Sequence, residues 1–178
     1  GHSKSLYHIN FCPWKRMKVI NEEHERELYK FIYDFSEKRG VKVWRIGGMP
    51  DHVHLLCSIP PKLAVADYMK LMKTESSKFM RANPHFPEWR GWAEKYSHVT
   101  VDYCTRQTRI DYIKNQKQHH ARVSFEDEYR AFLRKYDFPE DTPLLGDDLF
   151  KSAYYARHIA GDSLTRHTSA SFGVPGYP

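Results

Sequence analysis

An α+β fold is predicted from three observations. Strand-like alternation and helical stripes follow one another in the order strand, helix, strand, strand, helix, strand, and two further helical patterns come after them. At 178 residues the chain is long enough for one domain with a real core, or one domain with an appendage, and too short for a second full domain. That element order matches the ferredoxin-like, RRM-like split βαβ plan, an antiparallel sheet with helices on one face and the other face open, here followed by C-terminal helices.

Each element has its own signal. From Leu6 to Cys12 the side chains alternate, Tyr7, Ile9 and Phe11 against His8 and Asn10, as in a half-buried strand. Asn21 is a cap for a helix with an acidic first turn, Glu22 and Glu23, and a stripe of Leu28, Phe31, Ile32 and Phe35, stopping near Gly40. Val41 to Ile46 reads as a strand, and Gly47 to Asp51 as a tight connection. His52 to Ile59 is the clearest strand: Val53, Leu55, Cys57 and Ile59 share one face, and His52, His54, Leu56 and Ser58 the other. Leu63 to Arg81 is a helix with Val65, Met69, Met72 and Phe79 inward, ended by Asn83 to Pro87. Tyr96 to Cys104 is a fourth strand. Thr108 with Asp111, and Ser124 with Asp127, are capping boxes for helices ending near His120 and Tyr136. Residues 1–136 are expected to form the domain, and 137–178, rich in Pro, Gly, Asp and Ser, an extension of uncertain order with one short helix near 153–159.

A net charge of +6 with 15% aromatic residues suits a polyanion whose bases stack, although a solvated basic surface has the same composition. Cys12, Cys57 and Cys104 are odd in number, far apart and in strand-like runs, so all three are expected to be reduced core thiols. No apolar run is long enough to cross a membrane and the N-terminus has no apolar signal core, which predicts a cytoplasmic protein without a membrane partner.

Two strings carry chemistry. His52-Val53-His54 places two imidazoles on one strand face, and Tyr112-Ile113-Lys114-Asn115-Gln116 places a phenol and a carboxamide on one side of a helix, apart from the Ile110 and Ile113 flank. A lone His-x-His is ordinarily a surface pair, and a lone tyrosine at a helix edge an ordinary amphipathic residue. The combination is what offers a metal site beside a nucleophile.

Asp51-His52-Val53-His54 followed by Tyr112-x-x-x-Gln116 resembles the single-tyrosine HUH transposases of the insertion-sequence 200/605 class. The opening Tyr7-His8-Ile9-Asn10-Phe11-Cys12-Pro13-Trp14-Lys15-Arg16 is similar to that family's first strand and basic turn, and the resemblance spans roughly residues 6 to 135. It implies that His52, His54 and Gln116 ligate a divalent metal, Mg²⁺ or Mn²⁺, and that Tyr112 is the nucleophile, forming a 5′-phosphotyrosine and a free 3′-hydroxyl. It further implies single-stranded DNA with hairpin ends as partner, a homodimer, and a tyrosine helix able to complete a partner's metal site. His119, one turn beyond Gln116, is a candidate helper in proton transfer, and Asp51 a candidate to orient a histidine. Trp14, Lys15, Arg16, Lys18, Lys70, Lys73, Lys78 and Arg81 are candidate DNA contacts.

Three other readings compete. A host-domesticated nickase or replication initiator would use the same chemistry. A non-catalytic RRM-like module would stack bases on exposed sheet aromatics, which are missing beside His52 and His54. An iron enzyme using Asp51 as the carboxylate of a facial triad fits poorly, because Asp51 alternates to the wrong face.

Overall fold

The computed structural model describes residues 3–147. Four strands, β1 (Tyr7–Pro13), β2 (Lys42–Met49), β3 (His52–Ser58) and β4 (Trp92–Thr100), form one antiparallel sheet in the order β2-β3-β1-β4. This is the α+β, ferredoxin-like arrangement expected. Helices α1 (Glu25–Glu37) and α2 (Val65–Ala82) cover one face; α3 (Arg106–Lys114), α4 (Gln116–His120) and α5 (Phe125–Lys135) follow β4.

The main core lies under α1 and α2. Ile9 and Phe11 of β1 and Val53, Leu55 and Cys57 of β3 meet Leu28, Ile32 and Phe35 of α1 and Met69, Met72 and Met80 of α2. Each such buried side chain contributes about 1.5–3 kcal/mol relative to exposure. The helix-facing residues of β3 are those its alternation predicted, and His52 and His54 consequently point to the opposite face. Tyr68 is also fully buried, its hydroxyl 2.8 Å from Ser36 Oγ. Gly40 (φ +70°) ends α1 in a Schellman turn, with Val41 N–H donating to Ser36 O and Gly40 N–H to Glu37 O.

The face expected to be open is covered. It carries Leu6, Leu56 and Cys12, which would otherwise stand apolar in water. Ihe α3 residue Ile113 seals Leu6 and Leu56, while Phe125, Tyr129 and Leu133 of α5, with Leu145, seal Cys12 and Ala93.

Other boundaries move for identifiable reasons. β2 continues through Gly47 and Gly48, leaving only Pro50 and Asp51 as the turn. A Cβ at Gly48 would collide with the His52 carbonyl, and one at Gly47 would press on Ile113, so these glycines permit close backbone approach. β4 begins at Trp92, whose ring packs edge-on against Phe11 and Trp89. Cys104 therefore falls beyond the strand, in an exposed turn where its N–H donates to Asp102 Oδ1, and is no core thiol; Cys12 and Cys57 are buried as expected. Thr108 does not cap: α3 has already begun at Arg106. Asn115 (φ −95°, ψ 15°) divides the expected single helix into α3 and α4. Ser124 does cap α5, its Oγ accepting from Asp127 N–H at 3.1 Å. Asn21 caps the turn before α1, accepting from Glu23 N–H, while α1 itself begins at Glu25. The expected helix near 153–159 lies outside the described residues. Among the described residues no helix is long and apolar enough to cross a membrane.

Glu27 ties α1 to the turn after α2. It accepts from Asn83 Nδ2 at 2.7 Å, and from Nδ1 of His24 and of His85 at 2.9 and 2.8 Å. The Asn83 hydrogen bond is the largest cause holding its carboxyl below the ordinary range, against a smaller opposing effect of desolvation, with both histidines adding to the lowering. A depressed folded-state pKa means the stabilisation is fully present above the unfolded value and is lost as pH falls through the folded one. Urea midpoints measured across that acid range should fall less steeply in Glu27→Gln than in the parent; identical acid limbs would sink this account.

Candidate metal and nucleophile site

His52 and His54 enter on β3, an interior strand, with Asn10 of β1 and Gly47 of β2 opposite His54 in register. Asp51 Oδ1 accepts from His52 Nδ1–H at 2.8 Å, which leaves Nε2 as the lone-pair nitrogen of that ring. Burial pushes the Asp51 carboxyl up, but the hydrogen bonds from His52 and Arg16, with the Arg16 charge, outweigh it and hold the group at about 2. His54 Nδ1 lies 3.0 Å from His8 Nε2. Burial, reinforced by the neighbouring His52 and His8, holds His54 well below the usual imidazole range; burial and the Arg109 charge push His8 down to about 3. Both rings are therefore neutral at pH 7, the form that offers a lone pair.

α3 and α4 deliver the second string. Ile113, packed on Leu56, seats α3 and turns Tyr112 toward the histidines, with ring centroids 6.0 Å from His54 and 6.2 Å from His8. Gln116 is almost fully buried at 1% exposure. Three buried atoms on these residues have no hydrogen-bond partner: His52 Nε2, His54 Nε2 and Gln116 Oε1. Leaving such groups unpaired costs about 1–3 kcal/mol each. Two unpartnered imidazole nitrogens on one strand face, with an unpartnered carboxamide oxygen on α4, are a physical reason for a ligand, and these donor types fit a divalent ion.

α5 adds a group the sequence reading missed. Glu128 accepts from the Tyr112 hydroxyl, and from Gln116 Nε2 at 3.3 Å. Its other oxygen, Oε2, lies 2.9 Å from His120 Nε2, and His119 Nε2 is 3.6 Å from Oε1. Ligand atoms of His52, His54, His120 and Glu128 all lie within 4.8 Å of one another. Burial works to raise the Glu128 carboxyl, yet the hydrogen bonds from His120 and the Tyr112 hydroxyl, with the His120 charge, overcome it and keep Glu128 ionised far below the usual range. Burial, then the charge of Glu128, pushes the Tyr112 phenol up, so in this arrangement the tyrosine holds its proton firmly. Glu126, Asp127 and Glu128 read in sequence as the acidic first turn of a capped helix, an ordinary dipole-favoured pattern that concealed the third of them. His8 and Asn10 had a visible signal, since both fall on the polar side of the β1 alternation.

The DNA-contact candidates separate into two groups. Trp14 is exposed, with Lys15 Nζ 4.4 Å from its ring centroid, and Lys18 is exposed nearby in sequence. Arg16 instead pairs with Asp51 at 3.0 Å and lies over the Phe125 ring at 3.8 Å, so it clamps the β2–β3 turn to α5. Lys70, Lys73 and Arg81 line a groove between α2 and β4 with Arg90, which the sequence reading did not single out. Lys73 Nζ donates to the Ala93 and Glu94 carbonyls, and Lys78 pairs with Glu75. Because α2 packs on the face opposite the histidines, the structure does not bring these cations to Tyr112.

Sheet order and the two motifs point to a class, the transposases. A family model described as "Transposase IS200 like" matches residues 2–116, and the chain belongs to that family. It is 35% identical to the ISDra2 transposase TnpA of Deinococcus radiodurans over 115 residues, covering 62% of this chain and 82% of that one. It is 31% identical to the transposase for insertion sequence element IS200 of Salmonella typhimurium over 134 residues, covering 65% and 84%. Among solved structures, a Deinococcus radiodurans protein described as a transposase superposes with a TM-score of 0.51 at 30% identity, covering 65% of this chain and 94% of that one. A REP-associated tyrosine transposase bound to a REP hairpin shares the fold with a TM-score of 0.52 at 11% identity, covering 83% and 93%.

Proposed function

We propose that this transposase cleaves and rejoins single-stranded DNA through Tyr112, with His52, His54 and Gln116 holding Mg²⁺ or Mn²⁺. The observation that carries the reading is that His52 and His54, each with an unpartnered Nε2, have ligand atoms within 4.8 Å of Glu128, which accepts from both the Tyr112 hydroxyl and Gln116. When bound, the ion neutralises charge on a phosphate oxygen and orients the phosphodiester. Two imidazoles favour Mn²⁺ chemically.

The chain's own groups do the rest. Asp51 fixes the His52 tautomer and ring, and His8 does the same for His54. Glu128, already hydrogen-bonded to the Tyr112 hydroxyl, takes its proton as Oη forms a bond to phosphorus. The bond from phosphorus to the 3′-oxygen breaks, that oxygen gains a proton from solvent, and the strand is left as a 5′-phosphotyrosine with a free 3′-hydroxyl. Attack by another 3′-hydroxyl reverses these steps and rejoins DNA without an external energy source. His119, beside Glu128, is a relay for the proton. Hairpin-ended DNA is the proposed substrate, Trp14, Lys15 and Lys18 its proposed contacts near β1, and Lys70, Arg81 and Arg90 a second set. A homodimer supplies two tyrosines for two strand ends.

Incubating the protein with labelled single-stranded DNA from its own flanks, with and without Mn²⁺ or Mg²⁺, tests this on a denaturing gel. A metal-dependent protein–DNA adduct is expected. A folded protein that binds the hairpin and forms no adduct with either metal would refute it in favour of a DNA-binding relative.

A further inference from the structure

We propose that the cleft between α3 and α5 is a nucleobase subsite, receiving the base of a nucleotide that borders the scissile phosphate. This rests on the Tyr112 reading and adds to it where the substrate lies.

The cleft has a volume of about 560 Å³, within the roughly 300–1,000 Å³ of small-ligand sites. Its floor is the polar face of β1, His8 and Asn10, which are 1% and 5% exposed. His8 Nδ1 and Asn10 Oδ1 are both without a hydrogen-bond partner. Two buried polar atoms facing one cleft signal a polar ligand edge. With His54 presenting Nε2 to a ligand, its Nδ1–H donates to His8 Nε2, and an imidazole that accepts at Nε2 carries its hydrogen on Nδ1. The floor therefore offers a donor beside an acceptor, and a base edge carries the complementary pair.

The walls call for a flat ring. Phe132 of α5 and Tyr136 just beyond it line the cleft with Tyr112 of α3, and aromatic side chains take any base by stacking. Arg109 reaches across the mouth to donate to the Tyr136 hydroxyl at 3.2 Å, where its charge suits a phosphate attached to the occupant. An aliphatic side chain would leave the floor atoms unpaired, and a free phosphate would leave the aromatic walls unused. A nucleotide uses both.

The test is an abasic walk. Single-stranded substrates carry one abasic residue at each position across the cleavage point, and adduct formation is timed for wild type, Asn10→Ala and Phe132→Ala with Mn²⁺. One of the two positions bordering the cleaved bond should lose tenfold or more when abasic. Each variant should slow the intact strand by a similar factor and show an abasic penalty below twofold, because the missing base and the missing side chain remove the same interaction. Phe132 is half-exposed, so Phe132→Ala decides the matter if Asn10→Ala fails to fold. An undiminished penalty in Phe132→Ala, or no penalty at either bordering position, overturns the subsite while leaving Tyr112 as nucleophile. No adduct from any substrate in wild type overturns the Tyr112 reading and the subsite with it.

Discussion

Tyr112→Phe is expected to form no covalent adduct while still binding hairpin DNA. The ring remains, and with it the contacts near Ile113 and the edge-on approach to His54; only the oxygen that attacks phosphorus is gone. Losing the nucleophile of a covalent mechanism should cost more than about 10³-fold in rate, because no neighbouring group occupies its place. The structural cost is smaller. Glu128 loses one hydrogen-bond donor but keeps His120 at 2.9 Å and Gln116 at 3.3 Å, so stability should fall by about 1–2 kcal/mol, read as a modest drop in the denaturation midpoint. The useful comparison is gel shift against adduct: retained binding with abolished adduct assigns the chemistry to the hydroxyl. A persisting adduct in Tyr112→Phe would remove Tyr112 as nucleophile.

What was legible in the sequence was whatever depends on local periodicity. The β3 alternation located His52 and His54 on the face away from α1 and α2, and the α1 stripe put Leu28, Ile32 and Phe35 in the core. Long-range packing was not legible. Gly47 and Gly48 read as a turn because glycine usually marks one, whereas here they lie in β2 where Ile113 and the His52 carbonyl come too close for a Cβ. The open face predicted from the first six elements was an error of completeness: the apolar Leu56 and Cys12 on that side required cover, and α3 and α5 supply it. The site was half visible for the same reason. His52, His54, Tyr112 and Gln116 stand in two compact motifs, but Glu128 meets them only through the docking of α5, and in the sequence it is one acid among three in a helix's first turn. Arg16 shows the converse. Its basic turn suggested a DNA contact, and only the fold reveals Asp51 and the Phe125 ring as partners that satisfy it.

Glu128→Gln should slow adduct formation by about 10²–10⁴-fold, the usual worth of a positioned proton acceptor. Glutamine keeps the volume and still offers a carbonyl oxygen to the Tyr112 hydroxyl, but it cannot take the proton. Burial and the Glu128 charge hold that proton on the phenol in the present arrangement, so the reaction needs somewhere to put it as the new bond forms. The alternative role for Glu128 is as a further ligand, since its carboxylate lies within 4.8 Å of ligand atoms of His52, His54 and His120. The two roles respond to different remedies. A lost ligand is restored by raising Mn²⁺ concentration; a lost proton acceptor is restored by a more acidic phenol, introduced as a fluorinated tyrosine at position 112. Recovery with the fluorinated ring at saturating Mn²⁺ is the expected result. Full recovery by metal alone would make Glu128 a ligand and leave the proton to His119 or solvent, and a variant as fast as the parent would leave Glu128 with only the structural task of docking α5 over the histidines.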